Sequence, residues 1–192
     1  VAVEAARTDA TGEPFKVEFR FQRKDGRWVW LENKAIMLRD QEGKPLYWHG
    51  LFTDITERKR SEMLLSGQLR ILERIAQQAP LSEVLEQLCR LVEEQAPDLL
   101  ASVLLLDQEG RLHHGAAPSL PPDYVAAIEG LPAGPNQGSC GTAAYLREPV
   151  VVTDTAVDPR WAAYRDLAQA YGLRACWSVP VVANTGEVLA TF

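Results

Sequence analysis

The chain has 192 residues, 46% hydrophobic and 24% charged, with a formal net charge of −6. That is the composition of a globular protein of one large or two small domains, and its acidity opposes attraction to phosphate backbones and anionic lipid, so neither nucleic acid nor direct membrane contact is expected. No window approaches ~18 consecutive apolar residues, and Val1–Ala10 lacks the basic start and apolar core of a signal peptide, so a cytoplasmic location is expected.

From Phe15 to Ile55 polar and apolar residues alternate, broken only at Lys24-Asp25-Gly26 and at Asp40-Gln41-Glu42-Gly43-Lys44-Pro45, which predicts three antiparallel strands, Phe15 to Arg23, Arg27 to Leu38 and Leu46 to Asp54. Asp25-Gly26 and Gly43 supply the positive-φ positions of tight connections. Phe19, Phe21, Trp28, Trp30, Tyr47, Trp48 and Phe52 lie on the faces of this sheet and call for a cover, expected upstream. At Asp54-Ile55-Thr56 the period changes. Thr56 is the predicted N-cap of a helix of about six turns that meets no proline before Pro80. Leu64, Leu65, Leu69, Ile71, Leu72, Ile75 and Ala76 form a stripe close to heptad spacing along it, which suits a parallel dimer.

After Pro80 a helix from Leu81 to Gln95 sets Val84, Leu85, Leu88, Leu91 and Val92 on one face, with Cys89 beside them as a small buried hydrophobe. Leu100 to Leu106 and Arg111 to His114 read as strands around Asp107-Gln108-Glu109-Gly110, and Pro121-Pro122-Asp123 opens a short helix ending near Gly130. Ser139 is placed to cap a helix from Cys140 to Leu146, and Pro149 to Val152 forms a short strand. Asp158-Pro159 starts, and Gly172 stops, a helix from Pro159 to Tyr171. Arg174 to Val182 and Glu187 to Phe192 are two further strands joined by Asn184-Thr185-Gly186. Because the chain opens without methionine and stops inside a strand, it is read as a piece of a longer protein. The fold class is α+β.

The stretch EFRFQRKDGRWVWLENKAIMLRDQEGKPLYWHGLFTDITERKR resembles the C-terminal portion of PAS domains, including the Asp54-Ile55-Thr56-Glu57 junction between the last strand and the outgoing signalling helix. From about Leu69 onward the chain resembles a GAF domain, through GSCGTAAY (Gly138 to Tyr145), VVTDTAVDPRW (Val151 to Trp161) and YGLRACWSVPV (Tyr171 to Val181). The resemblance implies residues 1–56 as the end of a PAS domain, 57–79 as a signalling helix and 80–192 as a GAF domain lacking its C-terminal end. It also implies a sensory fragment of a bacterial histidine kinase or of a cyclic-di-GMP enzyme whose output domain lies elsewhere, itself without enzyme activity. Asp54, Ile55, Thr56, Leu65, Leu69 and Leu72 are the expected signal relay, and the expected partners are a second copy through the helix and an unidentified small molecule.

The resemblance limits the chemistry. Flavin-binding PAS domains place a glutamine where this chain has Phe52, and bilin-binding GAF domains place a Cys-His pair where it has Ala163 and Tyr164, so flavin and covalent bilin are disfavoured and the cofactor stays unassigned. The Asn-Lys, Phe and Asp-Glu signature of cyclic-nucleotide GAF domains is absent. GSCGTAA is similar to a segment of the GAF-fold reductases of free methionine sulfoxide, which makes Cys140 the candidate nucleophile of an enzymatic alternative, since a helix start favours thiolate. Those enzymes need partner thiols. Cys89 falls on another helix and Cys176 in a later strand, so a structural or pocket-lining Cys140 is preferred. A ligand-free dimerisation module is the other alternative. The three cysteines show no CxxC or Cys/His cluster, which predicts free thiols and no metal site. The candidate ligand-binding residues are Ser139, Cys140, Thr142, Trp161, Tyr164, Trp177 and Ser178, aromatic walls with a few polar anchors. His113 and His114 alternate across a strand, so at least one is expected to face water, and His49 is read as structural.

Overall fold

The computed structural model describes residues 13–96 and 98–192; Val1–Ala10, read above for targeting signals, lies outside them. The chain divides into two compact units that meet in sequence at Ser66 and Gly67. Both are mixtures of helix and antiparallel sheet, and the α+β class holds.

In the first unit β1 (Phe15–Gln22), β2 (Trp28–Arg39) and β3 (Pro45–Asp54) form an antiparallel meander in the order β1-β2-β3, with Phe15 opposite Ala35 and Ala35 opposite Gly50. The two connections are built alike. Arg23 and Asp40 each donate their N–H to the carbonyl four residues on, at 2.8 and 2.9 Å, and accept from the N–H of Gly26 and Gly43 three residues on. Both glycines hold positive φ, 84° and 83°, which L side chains rarely adopt. The Asp40 carboxylate locks its turn by accepting from Glu42 N and Lys44 N at 2.9 and 2.8 Å. The tetrapeptide Asp-Gln-Glu-Gly returns at Asp107–Gly110, where Asp107 accepts from Glu109 N and Arg111 N, both at 2.8 Å.

Helix α1 (Thr56–Ala76) is continuous over 21 residues. Its start differs from the expected cap. Thr56 is the first helical residue, and its hydroxyl accepts from Trp30 N at 3.0 Å while Asp54 takes the Thr56 N–H at 3.0 Å. The carboxylate does the capping because the threonine oxygen satisfies a strand N–H that would otherwise be orphaned. Within the first unit, Arg58 and Lys59 reach back to Glu18 at 2.8 and 2.5 Å, and Lys59 lies 5.4 Å from the Trp30 ring centroid. These two cations hold the Glu18 carboxyl down at about 2. Within the second unit α1 packs so closely on α2 (Leu81–Glu93) that a Cβ at Gly67 would fall 2.2 Å from Leu91 Cδ1.

The sheet of the second unit runs β6-β5-β4-β10-β9, with β4 (Val103–Leu106), β5 (Arg111–Ala116), β6 (Leu131–Pro132), β9 (Pro180–Val182) and β10 (Val188–Thr191); a separate ribbon pairs β7 (Val150–Val152) with β8 (Cys176–Ser178). Helix α3 (Pro122–Ala127) follows β5, and α4 (Gly138–Leu146) precedes β7. Cys89 packs with Ala101, Val103 and Ala190 beside Leu85 and Val92, so the sheet-facing line of α2 is Leu85, Cys89 and Val92, with the cysteine at its centre. Ala144 of α4 packs with Leu104, Leu112, Leu131 and Val188. Val188 and Ala190 serve different clusters although two residues apart, because a bulge shifts the register between them. A third cluster joins Ala143, Val150, Val152, Trp161 and Ala168.

Two further expectations are corrected. The helix predicted over Pro159–Tyr171 is a 3-10 turn, Pro159–Trp161, followed by α5 (Arg165–Ala170). Asp158 caps the turn as expected, but Tyr164 takes φ −118° and ψ 5°. Its ring packs into two core clusters and its hydroxyl donates to Gln137 Oε1. Tertiary packing of that ring outweighs helix propensity. The strand predicted over Arg174–Val182 divides at Val179 into β8 and β9, which belong to different sheets.

Candidate functional site

Helix α4 carries the GSCGTAAY motif, and its entry is unusual. Gly138 sits at φ 62°, and a Cβ at Gly141 would meet Pro132 O at 2.6 Å, so small residues let the helix approach the loop before it. Ser139 does not cap the helix: Gln137 is the N-cap residue, without a side-chain bond. The Ser139 hydroxyl is buried instead between two neighbours, accepting from Trp161 Nε1 at 3.1 Å and donating to the Cys176 carbonyl at 3.4 Å. Thr142 is buried too, accepting from Gln137 N at 3.3 Å and donating to Pro135 O at 3.4 Å. With Tyr164, which bonds Gln137, it fastens the loop ahead of α4.

A cavity of about 610 Å³ lies within the second unit. Cys140 and Trp161 form part of its wall with Tyr124, Ile128 and Tyr171, while Leu99, Leu100, Ser102 and Leu120 line another side and Trp177 stands half exposed beside Cys176. The expected strand start at Leu100 is corrected here, because Leu99, Leu100 and Ser102 border the cavity and β4 begins only at Val103. Tyr124 and Tyr171 meet edge to face at 5.6 Å, and burial pushes the Tyr124 phenol well up, so it is neutral at any ordinary pH. Of the candidate residues, Cys140, Trp161 and Trp177 line this volume. Ser139, Thr142, Tyr164 and Ser178 are not among its lining residues.

Reading the sequence set Cys176 apart from Cys140. The fold brings them together, because α4 packs on β8 and Cys176 is that strand's first residue. The Cys176 thiol donates to Trp177 O at 3.8 Å, and Cys140 is lowered to about 7, first by Cys176 and then by the hydroxyls of Ser178 and Thr191 and its own backbone N–H, against the opposing effect of burial. Cys176 is correspondingly pushed up by Cys140 and by burial. Ser178 Oγ and Thr191 Oγ1 are fully buried and have no hydrogen-bond partner. Strand alternation was the available signal, since Cys176 and Ser178 at i and i+2 share a face. Tyr124, Leu120 and Thr191 carried no comparable mark. Cys89 stands apart, fully buried, and burial raises its thiol to about 11.

The relay candidates lie elsewhere. Asp54, whose carboxyl the Thr56 hydroxyl and N–H hold below its usual range, also pairs with Arg23 at 2.6 Å, and Ile55 is buried. Leu65, Leu69 and Leu72 are exposed on α1. On β5 both histidines meet one carboxylate: His113 Nδ1 and His114 Nδ1 lie 2.7 and 3.0 Å from the two oxygens of Glu129, and His113 Nε2 is 2.9 Å from Asp107. His113 keeps the exposure expected of one of the pair, whereas the His114 side chain is 10% exposed. No cluster of three or more metal-ligating side chains occurs among the described residues, and no helix among them is long and apolar enough to cross a membrane.

Residues 80–192 match the model of the GAF domain, and residues 1–52 that of the PAS fold. The chain is 40% identical over 186 residues to the methyl sulfide methyltransferase-associated sensor of Methanosarcina acetivorans, a match covering 96% of this chain and 19% of that protein. It therefore spans about a fifth of that relative's length. Among solved structures it resembles a putative GAF sensor protein from Burkholderia vietnamiensis, at 22% identity and a TM-score of 0.51 over 69% of this chain and 76% of the other. It also resembles the free methionine-R-sulfoxide reductase of Neisseria meningitidis, at 18% identity and a TM-score of 0.51 over 69% and 70%. At these identities the likeness is one of fold.

Proposed function

Since the chain belongs to the GAF domain family, with a PAS fold ahead of it, we propose that it is a sensory module that takes a small, largely apolar ligand in the cavity of its second unit. The observation that carries the reading is the cavity itself. Its volume falls within the range of small-molecule sites, and aromatic and aliphatic side chains surround a few polar groups. A ring-sized, weakly polar molecule suits walls of Tyr124, Trp161, Trp177 and Leu120, with the cysteine thiols as its polar contacts. The fragment is a receptor and not a catalyst on this reading, works in the cytoplasm, and passes occupancy to an output domain of a larger signalling protein. The name of the Methanosarcina relative, a sensor, supports this reading.

Native mass spectrometry of the purified chain tests the proposal. A retained small molecule is expected, together with loss of that mass in a Leu120→Trp variant, whose larger ring occupies the same space. A folded wild type that carries no ligand, and whose Trp161 and Trp177 fluorescence responds to no apolar probe, overturns it.

Relay through a parallel α1 dimer belongs to the same proposal. The exposed Leu65, Leu69, Leu72 and Ile75 supply an apolar stripe on α1. Insertion of one residue beside Gly67 in the full-length protein is expected to abolish the response of its output to ligand, and an unchanged response refutes the relay. The enzymatic alternative predicts turnover of free methionine sulfoxide with a thiol reductant, which a receptor lacks.

A further inference from the structure

Cys140 and Cys176 come from segments 36 positions apart in sequence, yet both line one cavity, where Ser139, the neighbour of Cys140, donates to the Cys176 carbonyl at 3.4 Å. Two buried hydroxyls, Ser178 Oγ and Thr191 Oγ1, are without any hydrogen-bond partner, and both bear on Cys140 by lowering its pKa. Burying a hydroxyl without an acceptor is unfavourable, and an anionic Cys140 sulfur would supply the acceptor that both lack. The surroundings are thus built for a thiolate at Cys140 and a protonated thiol at Cys176. Cys89 lies on the opposite side of the sheet, packed among Ala101, Val103 and Ala190, and takes no part.

We propose that Cys140 and Cys176 are an oxidisable dithiol, closed to a reversible intramolecular disulfide by hydrogen peroxide or a small alkyl hydroperoxide. The Cys140 thiolate attacks the terminal peroxide oxygen; the S–O bond forms as the O–O bond breaks, leaving Cys140 sulfenic acid and hydroxide (or alkoxide). Cys176 then attacks the Cys140 sulfur, the S–S bond forms and the sulfenic oxygen leaves as water, taking the Cys176 proton. The hydroxide recovers the proton that Cys140 gave up on ionising. In sum two thiols are oxidised by two electrons and one peroxide is reduced to two waters. A dithiol reductant reverses the change. Of the pair, Cys140 reacts first because its thiol is the more acidic, and Cys176 resolves because it lines the same cavity, as Cys89 does not.

This goes beyond ligand binding and does not rest on it, since the disulfide requires no occupant in the cavity. The experiment uses the reduced chain, treated with stoichiometric hydrogen peroxide, then alkylated and mapped by mass spectrometry without reduction. A loss of two hydrogens and a crosslink between the peptides of Cys140 and Cys176 are expected, reversed by dithiothreitol, with Cys89 alkylated throughout. In Cys176→Ser a dimedone adduct on Cys140 is expected, and in Cys140→Ser oxidation at Cys176 should slow at least about tenfold, the loss expected when the low-pKa thiol is removed. The proposal is overturned if wild type forms no such crosslink while Cys140 goes to sulfinic acid or stays reduced, or if Cys140→Ser leaves oxidation at Cys176 unchanged.

Discussion

Replacing Ser178 by alanine separates the two things its hydroxyl does. In the structure the oxygen is fully buried, has no hydrogen-bond partner and helps hold the Cys140 pKa down. A hydrogen bond to a charged group is worth about 1.5–3 kcal/mol, and about 1.4 kcal/mol corresponds to one pKa unit, so Ser178→Ala should carry the Cys140 pKa from about 7 to roughly 8–9. At pH 7 the thiolate fraction then falls from about one half to about 3%, taking ~8.5 as the new value. A more basic thiolate is also more nucleophilic, by about fivefold over that interval, so alkylation by iodoacetamide at pH 7 should slow only about threefold. The ultraviolet thiolate absorbance reads the pKa directly and should show the full displacement. Stability responds in the opposite sense at low pH. The folded Cys140 pKa lies below the unfolded one, so its contribution is present above pH ~8.5 and is lost as pH falls through about 7. Below that range the Ser178 hydroxyl serves a neutral thiol, and removing it should leave stability unchanged or raised; above it wild type should be the more stable. The reasoning is refuted if the thiolate titration of Ser178→Ala superimposes on that of wild type.

Three other perturbations follow from the geometry. Thr56→Ala orphans the Trp30 N–H, and urea denaturation should show a loss of about 1–2 kcal/mol, whereas no change means the N–H finds water instead. Trp161→Phe deletes the bond to Ser139 and leaves a void in a cluster where the ring is 5% exposed, for a cost of about 2–4 kcal/mol by the same measurement. His113 is raised above its ordinary value by Asp107 and Glu129, so its folded form holds a proton that the unfolded chain releases near pH 6.5. Its stabilisation is complete below that pH and falls away as pH rises through the folded value; the melting-temperature gap between wild type and His113→Gln should therefore narrow on raising the pH, and a constant gap counts against the pairing.

The turns and strands of the first unit were legible because their chemistry is local. Asp-Gln-Glu-Gly forms the same carboxylate-locked turn at Asp40 and at Asp107, and the alternation of β1 to β3 needs no distant partner to be read. The long helix α1 was legible for the same reason. What escaped depends on contacts between segments far apart in sequence. Tyr164 leaves the helical basin because of a core that includes Val150 and Ala143, and Ser139 faces Trp161 and Cys176 where a cap was expected. Cys176 lies in a later strand and so looks remote from Cys140 in the sequence, although its position on the same strand face as Ser178 points inward. Of the cavity, the aromatic members stood out as residue types, while Leu99, Leu100 and Ser102 look like ordinary strand until the sheet shows where β4 begins.

The division of the strand at Val179 leaves no slack in the backbone. Ser178 is held opposite Val150 in one ladder, and the next residue exchanges both of its backbone bonds with Phe192 in the other, at 2.7 and 2.9 Å. No loop separates the two attachments. A displacement of Cys176 is therefore handed on to the strand that ends at Thr191. The cavity wall and the central sheet are geared together through one peptide unit.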